Sequence, residues 1–269
     1  MLTASLTDRI GDLMRTVAAE EIMPRFRRLE DAEIWRKRAG SLVTVADEAS
    51  EQRLRAALTG FIPGSVTLGE EEAEADPSAF GRLSGEAPVW IIDPLDGTAN
   101  FAAGKTRFAV IVALSVGGRV RAGWILDPVN DALVSAEEGA GAWRDETRLG
   151  TAAAGPPAAM RGSLISRLRR DPVVCNAFAA VIAPGSCGVN YIDLAAGVLD
   201  FAFYRRLEPW DHAAGDLIHR EAGGRAACLD GTPYDPVSPG ETGLLLAADE
   251  AAWSAIAAVI GPAIAAPTS

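Results

Sequence analysis

A chain of 269 residues, 49% of them hydrophobic, can bury a large core as one domain or as two closely joined halves. Its net charge of −11, from 25 basic against 36 acidic residues, opposes binding to nucleic-acid backbones. No apolar run approaches the roughly 20 residues that a spanning helix needs, which excludes a membrane-spanning protein of that kind.

The amphipathic N-terminus mixes charge into its apolar pattern and lacks a signal-peptide core, so the expected setting is cytoplasmic. Leu6, Ile10, Leu13, Val17 and Ile22 recur at helical spacing and predict a helix over residues 4–23 that ends near Pro24. A second helix is predicted over 45–58, its start marked by Thr44 and Asp47 at capping-box spacing. Residues 65–68 read as a strand leading into the acidic run Glu70-Glu71-Glu72-Ala73-Glu74, a pattern that usually marks a solvated loop. From Val89 an apolar strand runs into Asp93-Pro94-Leu95-Asp96-Gly97-Thr98. Residues 108–116, a Gly117-Gly118 turn, 120–126, 132–136 and 142–143 then predict an antiparallel meander.

Residues 151–160, small and broken by Gly and Pro, form the best linker, dividing the chain into halves 1–150 and 151–269. Beyond it the reading is strand 163–166, helices 172–182 and 189–199, strand 200–204, helix 211–222, strands 225–229 and 243–248, and helix 249–260. Helices alternating with sheets predict an α/β layered sandwich. Cys175, Cys187 and Cys228 have neither a close pair nor zinc spacing and read as reduced, mostly core thiols. The two histidines, His212 and His219, are expected on the surface of one helix face, and their scarcity argues against a His-ligated zinc site or a Ser-His-Asp triad.

The chemistry concentrates after the Val89 strand. Asp93 and Asp96 sit where the strand stops, and carboxylate oxygens are hard ligands suited to Mg²⁺. Gly97, Thr98 and Ala99 follow as short residues whose amides would face an oxyanion at a helix N-terminus. Each acid also has a plainer role available: Asp47 as a helix cap, Asp211 as an N-cap, Asp96-Gly97 as a turn. Asp93-Pro-Leu-Asp96-Gly-Thr98 resembles the first signature of the inositol monophosphatase family, the Mg²⁺-dependent, lithium-sensitive phosphatases. Trp210-Asp211-His-Ala-Ala-Gly…Glu221-Ala-Gly-Gly224 resembles the second signature, and Gly69-Glu70-Glu71 and Leu42-Val-Thr-Val-Ala-Asp47 agree in type and order.

That resemblance implies the family's αβαβα sandwich, of the inositol monophosphatase and fructose-bisphosphatase type. It also implies a homodimer acting on a small-molecule phosphate ester, with two to three Mg²⁺ ions (Mn²⁺ as substitute). Glu70, Asp93, the Leu95 carbonyl, Asp96 and Asp211 are the implied metal ligands. Asp47, Thr98 and Glu70 are implied to activate the attacking water, without a covalent phosphoenzyme. The implied substrate contacts are Asp96, Ser186, Cys187, Tyr204, Arg205 and Asp211. Cys187 stands where relatives carry alanine, and Tyr204-Arg205-Arg206 replaces a glutamate that binds an inositol hydroxyl in the animal enzymes. A rim of that kind suits a second anionic group. Substrates in view are myo-inositol 1-phosphate or another polyol or sugar phosphate, histidinol phosphate, fructose 1,6-bisphosphate and 3′(2′),5′-bisphosphate nucleotides. A regulatory protein on the same scaffold is the contrasting class.

Overall fold

A computed structural model describes residues 4–37, 40–151 and 155–265. Five layers stack in the order helices, sheet, helices, sheet, helices. Helices α1 (Ala4–Val17), continued by a π turn over Ala18–Ile22, and α2 (Val45–Leu58) cover one face of a seven-stranded sheet. Its strands run in chain order: β3 (Val66–Gly69), β4 (Val89–Asp96), β5 (Ala109–Val116), β6 (Arg119–Asp127), β7 (Ala132–Glu137), β8 (Gly141–Arg144) and β9 (Thr147–Arg148). β3 and β4 are parallel, and the rest form the expected antiparallel meander.

Helices α7 (Cys187–Ala195) and α8 (Pro209–Glu221) fill the middle layer against a second sheet. That sheet runs β11 (Ala180–Ile182), β10 (Arg161–Ser163), β12 (Phe201–Tyr204), β14 (Leu244–Ala247), β13 (Arg225–Cys228). Its outer face is closed by α5 (Ser166–Arg169), α6 (Pro172–Asn176) and α9 (Glu250–Ala265). Among the described residues no helix is long and apolar enough to cross a membrane.

Two features of this packing place the functional residues. All eight residues of β4 are buried, so its apolar run holds a rigid position between α2 and α8. The β4–β5 register shifts between Asp93 and Asp96, and this irregularity re-aims the strand end. Small residues let α8 pack closely on both neighbours: a Cβ on Gly123 of the large sheet would stand 2.7 Å from Ala214 Cα, and one on Gly215 would stand 2.2 Å from the Tyr191 ring of α7. α8 thereby brings Asp211, in its first turn, over the end of β4.

Several sequence readings need correction. The helix expected over 172–182 stops at Asn176, and Ala180–Ile182 instead pairs in parallel with β10 as an edge strand. Phe178, packed at a 43° tilt against Phe201 with ring centroids 4.5 Å apart, anchors the chain between the two. The strand expected over 163–166 ends at Ser163, where α5 soon follows. Ile34–Arg36 (β1) and Leu42–Thr44 (β2) form a short hairpin that three-residue strands gave no pattern to predict. Of the linker, residues 152–154 lie outside the described residues, and Pro157–Ala159 make a 3₁₀ turn. The acidic run is not a loop: Glu70–Ala75 form helix α3.

Both histidines are fully buried, because α8 is sandwiched between two sheets and has no free face. His212 Nε2 donates to the Arg206 carbonyl at 2.9 Å, and His219 Nε2 donates to the Ala247 carbonyl at 2.8 Å. Burial pushes each imidazole down to about 4. An unfolded histidine titrates near 6.5, so the stability each neutral ring contributes is present above that pH and is lost as pH falls from about 6.5 to about 4. The expected loss is on the order of 3 kcal/mol per histidine across that window. Buried acids with raised pKa values work in the opposite direction, so the difference between proteins isolates the effect. Denaturant unfolding from pH 7 to pH 4 should show a shallower fall for His219→Gln than for the native protein; equal slopes would refute the assignment.

Candidate active site

The cap of α2 is the first part of the site. Asp47 Oδ2 accepts from the Thr44 backbone N–H at 2.8 Å and from the Thr44 hydroxyl at 2.6 Å, completing a capping box. Its other oxygen, Oδ1, accepts from the Thr98 hydroxyl, whose oxygen lies 2.9 Å from it and 3.1 Å from the Leu95 carbonyl. Structural and site-facing roles thus fall on different oxygens of one carboxylate. Asp47 has no exposed surface, and burial raises it to about 6 against the opposing hydrogen bonds from Thr44 and Thr98.

Gly97 adopts φ = +89°, a left-handed turn natural to glycine, and starts the short helix α4 (Thr98–Ala102). The first amides of that turn have no intrahelical acceptor. Asn100 Nδ2 ties the turn to the Gly185 carbonyl at 3.0 Å, so the loop before α7 and the turn after β4 form one wall.

Three carboxylates converge beside that wall. Oxygens of Asp93, Asp96 and Asp211 lie within 4.8 Å of one another. Asp96 stands at the start of α7, where Oδ1 accepts from Cys187 N–H at 3.0 Å and Oδ2 accepts from Gly188 N–H at 2.6 Å and from the Ser186 hydroxyl. A Cβ on Gly188 would sit 3.1 Å from Asp96 Oδ2 and 2.7 Å from Ala109 Cβ, so a bare backbone is what permits the contact. Burial still raises Asp96 to about 6. Asp93 and Asp211 are held well above the ordinary carboxylate range, first by burial and then by repulsion, from Glu70, Asp96 and Asp211 on Asp93 and from Asp96, Glu70 and Glu208 on Asp211, against a hydrogen bond with Asp93 that lowers Asp211. Held together, these groups resist carrying their full charge.

Glu70 lines the same cavity, of about 400 Å³, together with Arg36, Ser41, Asp93, Asp96, Thr98 and Asp211. Leu95, Gly97 and Ala99 also contribute to its wall. Glu70 Oε1 accepts from Lys37 Nζ at 2.9 Å, and the same ammonium lies 2.8 Å from Glu71 and 3.1 Å from Glu74. The neighbours of Glu70 are therefore engaged rather than solvated. Glu72 pairs with Arg55 at 2.7 Å and Arg82 at 2.8 Å, and burial followed by Glu70 repulsion pushes Glu71 up to about 8. Larger hollows exist elsewhere, including one of about 690 Å³ between α8 and the β5–β6 turn, and acids line them too, but among the described residues only Asp93, Asp96 and Asp211 bring three carboxylates within 4.8 Å of one another.

Tyr204 is not on a rim. It is buried against Tyr191 and His212, with ring centroids 5.9 Å and 4.7 Å away. Arg205 is exposed and does not line the cavity; among the described residues Arg36, on the β1–β2 hairpin, is the arginine that does. Arg38, which the sequence groups with Arg36 and Lys37, lies outside the described residues. Ser186 and Cys187 reach the acids through Asp96 as described.

Glu51 is a participant that sequence reading missed. Its carboxylate, almost wholly buried, accepts from the N–H groups of Glu71 and Glu72 at 2.8 and 3.0 Å. It thus caps α3 from another helix, where Gly69 supplies no cap of its own. A side chain on Gly69 would collide with that carboxylate at 2.2 Å. The available signal was spacing: Asp47, Glu51, Leu54 and Leu58 share the buried face of α2, which puts two acids on an apolar stripe.

A model of the inositol monophosphatase family matches residues 10–263. An inositol-1-monophosphatase of Mesorhizobium japonicum is 33% identical over 226 residues, covering 80% of this chain and 82% of the relative. A Nus factor SuhB of Pasteurella multocida is 32% identical over 232 residues, with the same two coverages of 80% and 82%. Among solved structures, an IMPase of Thermotoga maritima superposes with a TM-score of 0.83 at 24% identity, over 97% of this chain and 98% of its own, a likeness of fold.

Proposed function

The chain belongs to the inositol monophosphatase family, and from that premise we propose that it is a Mg²⁺-dependent phosphomonoesterase of small polyol or sugar phosphates, such as myo-inositol 1-phosphate. One observation carries the reading: the buried carboxylates of Asp93 and Asp96 and the half-buried one of Asp211 converge within 4.8 Å beside the Thr98–Asp47 pair. The donor set fits the cation, because it offers hard oxygens whose mutual repulsion a divalent ion relieves. Asp93, Asp96, Asp211, Glu70 and the Leu95 carbonyl would hold two to three Mg²⁺, with Mn²⁺ as substitute. When bound, such ions would offset the carboxylate charge, polarise phosphoryl oxygens and acidify water.

The chain's own groups do the rest. Amides of Gly97, Thr98 and Ala99 orient the phosphate oxygens at the start of α4. Thr98 Oγ1 positions the attacking water, and Asp47 Oδ1 accepts the proton passed through it. In this scheme Asp96, with Ser186 and Cys187 bonded behind it, meets the alcohol part of the ester, and Arg36, which lines the cavity, offers a cation to a further anionic group. On this reading the protein is a cytoplasmic homodimer inhibited by lithium.

A screen of purified protein with Mg²⁺ over inositol, sugar, histidinol and bisphosphate nucleotide esters should show turnover of at least one; no turnover with Mg²⁺ or Mn²⁺ would defeat the proposal. A second reading, a regulatory binding role, is raised by the relative named a Nus factor. If an Asp93→Asn chain restored a deletion phenotype, the binding reading would win.

Glu51 gives a finer test. Glu51→Ala should raise the half-saturating Mg²⁺ concentration about tenfold or more, with the substrate KM little changed, because the start of α3 carries Glu70. Glu51→Gln should recover part of this through its remaining acceptor, whereas equal Mg²⁺ dependence in all three proteins would exclude the positioning role.

A further inference from the structure

We propose that a second, soft-metal site lies behind this cup, sharing Asp211 with it, in which Cys187, Asp211 and His212 bind a thiophilic divalent cation such as Zn²⁺ and so shut the enzyme off. Cys187 Sγ, an Asp211 carboxylate oxygen and a His212 ring nitrogen lie within 4.8 Å of one another. Zinc holds sulfur near 2.3 Å and nitrogen or oxygen near 2.0–2.2 Å, so tetrahedral ligands stand roughly 3.3–3.7 Å apart. Side-chain movement of about an ångström closes that gap.

The donor chemistry separates this site from its neighbour. Thiolate and imidazole select zinc or cadmium, whereas Mg²⁺ takes oxygen ligands and dehydrates reluctantly. Asp211 belongs to both groups of ligands, since it also lies among Asp93 and Asp96. A soft cation on Cys187 and His212 therefore draws away a carboxylate that the hard-cation cup needs. The supporting contacts are already built. The Arg206 carbonyl can only accept, so the imidazole proton of His212 is on Nε2, 2.9 Å away, and Nδ1 keeps its lone pair. A metal-binding histidine typically donates its other N–H to such a carbonyl. Nδ1 now accepts from the Tyr191 hydroxyl at 3.1 Å, which a metal would displace. Cys187 N–H bonded to Asp96 holds the cysteine backbone at the cup.

The step balances simply: the Cys187 S–H bond breaks, its electron pair forms the S–Zn bond, and the proton leaves to solvent. No oxidant is involved. Only the inhibitory part rests on the proposed phosphatase activity, since binding is measured without turnover.

Cadmium serves as the spectroscopic probe. Mg²⁺-free native protein titrated with Cd²⁺ should develop a thiolate-to-cadmium ultraviolet band, retained in Cys175→Ala and Cys228→Ala and lost in Cys187→Ala. Calorimetry with Zn²⁺ should show affinity falling at least about a hundredfold in Cys187→Ala, since losing even an outer-shell partner costs 10–100-fold. Cys187→Ser supplies a second variant if the alanine protein is unstable. No band in the native protein, or an undiminished band in a folded Cys187 variant, would overturn the site. In active enzyme, Zn²⁺ should raise the half-saturating Mg²⁺ concentration of the native chain but not of Cys187→Ala, each measured against its own rate. Equal inhibition of both would overturn the shared role of Asp211. Absence of any esterase activity would count against the phosphatase reading and leave the cadmium result to judge the site.

Discussion

Asp93→Asn should abolish hydrolysis and at the same time make the cation-free protein more stable. Asp93 is about 1% exposed, and burial, followed by Glu70, Asp96 and Asp211, holds its carboxyl far above the ordinary range. A buried acid with a raised pKa contributes its full stability only at low pH, and that contribution is lost as pH rises through the folded value. At neutral pH the native chain without cations carries this cost, and the isosteric neutral amide removes it, a gain on the order of 1 kcal/mol. The same exchange removes a carboxylate from the cup. Activity should fall about a thousandfold or more, roughly 4 kcal/mol of barrier. Mg²⁺ should raise the melting temperature of the native protein by mass action and do so much less in the variant. Melting curves with and without Mg²⁺, beside a turnover assay, check both halves. A variant that melts lower without Mg²⁺ yet is still stabilised by it would show that the acids are a structural network and not a cation cup.

Asp47→Asn should separate the cap from the chemistry. Asp47 is the N3 member of the capping box and Thr44 the N-cap; an asparagine amide oxygen at N3 still accepts from Thr44, so α2 should keep most of its stability, within about 1 kcal/mol. A base of Asp47 type is worth about 10²–10⁴ in rate, and the loss should appear in kcat more than in KM. Asp47 accepts a proton only when ionised, so the native rate should fall as pH drops through its pKa. That value is raised to about 6 by burial in the cation-free chain, and bound cations pull it down, which sets the acid limb at or below pH 6. The acid limb should vanish from the Asn variant. An unchanged pH–rate profile with a near-native rate would remove Asp47 from the mechanism.

Legibility in the sequence followed how local each signal was. The helix over 45–58 and its Thr44–Asp47 box are local and were readable, as was the meander after Phe108, where alternation and a Gly-Gly turn agree. The strand before Asp93 was readable because an uninterrupted apolar run needs cover on both faces. Local pattern misled where tertiary contacts reversed its meaning. Glu70–Glu74 has the charge density of a solvated loop, yet Lys37, Arg55 and Arg82 converge on it from other elements. Tyr204 beside two arginines looks like a rim, yet strand alternation turns its ring into the aromatic cluster around His212.

The linear chain by itself determined which carboxylates were available, that they follow a buried strand and two helix starts, and that hard-cation and phosphate chemistry suits them. It could not determine which other groups join them, because side-chain convergence depends on layer packing and not on spacing. The close approach of α8 to the large sheet, allowed by Gly123, and to α7, allowed by Gly215, sets Asp211 beside Asp93 and Asp96. The start of α7 brings Cys187 to that acid and to His212, although nothing in their separation along the chain suggests a common ligand set. Glu51 likewise acquires its role only because a bare Gly69 lets a neighbouring helix end meet it.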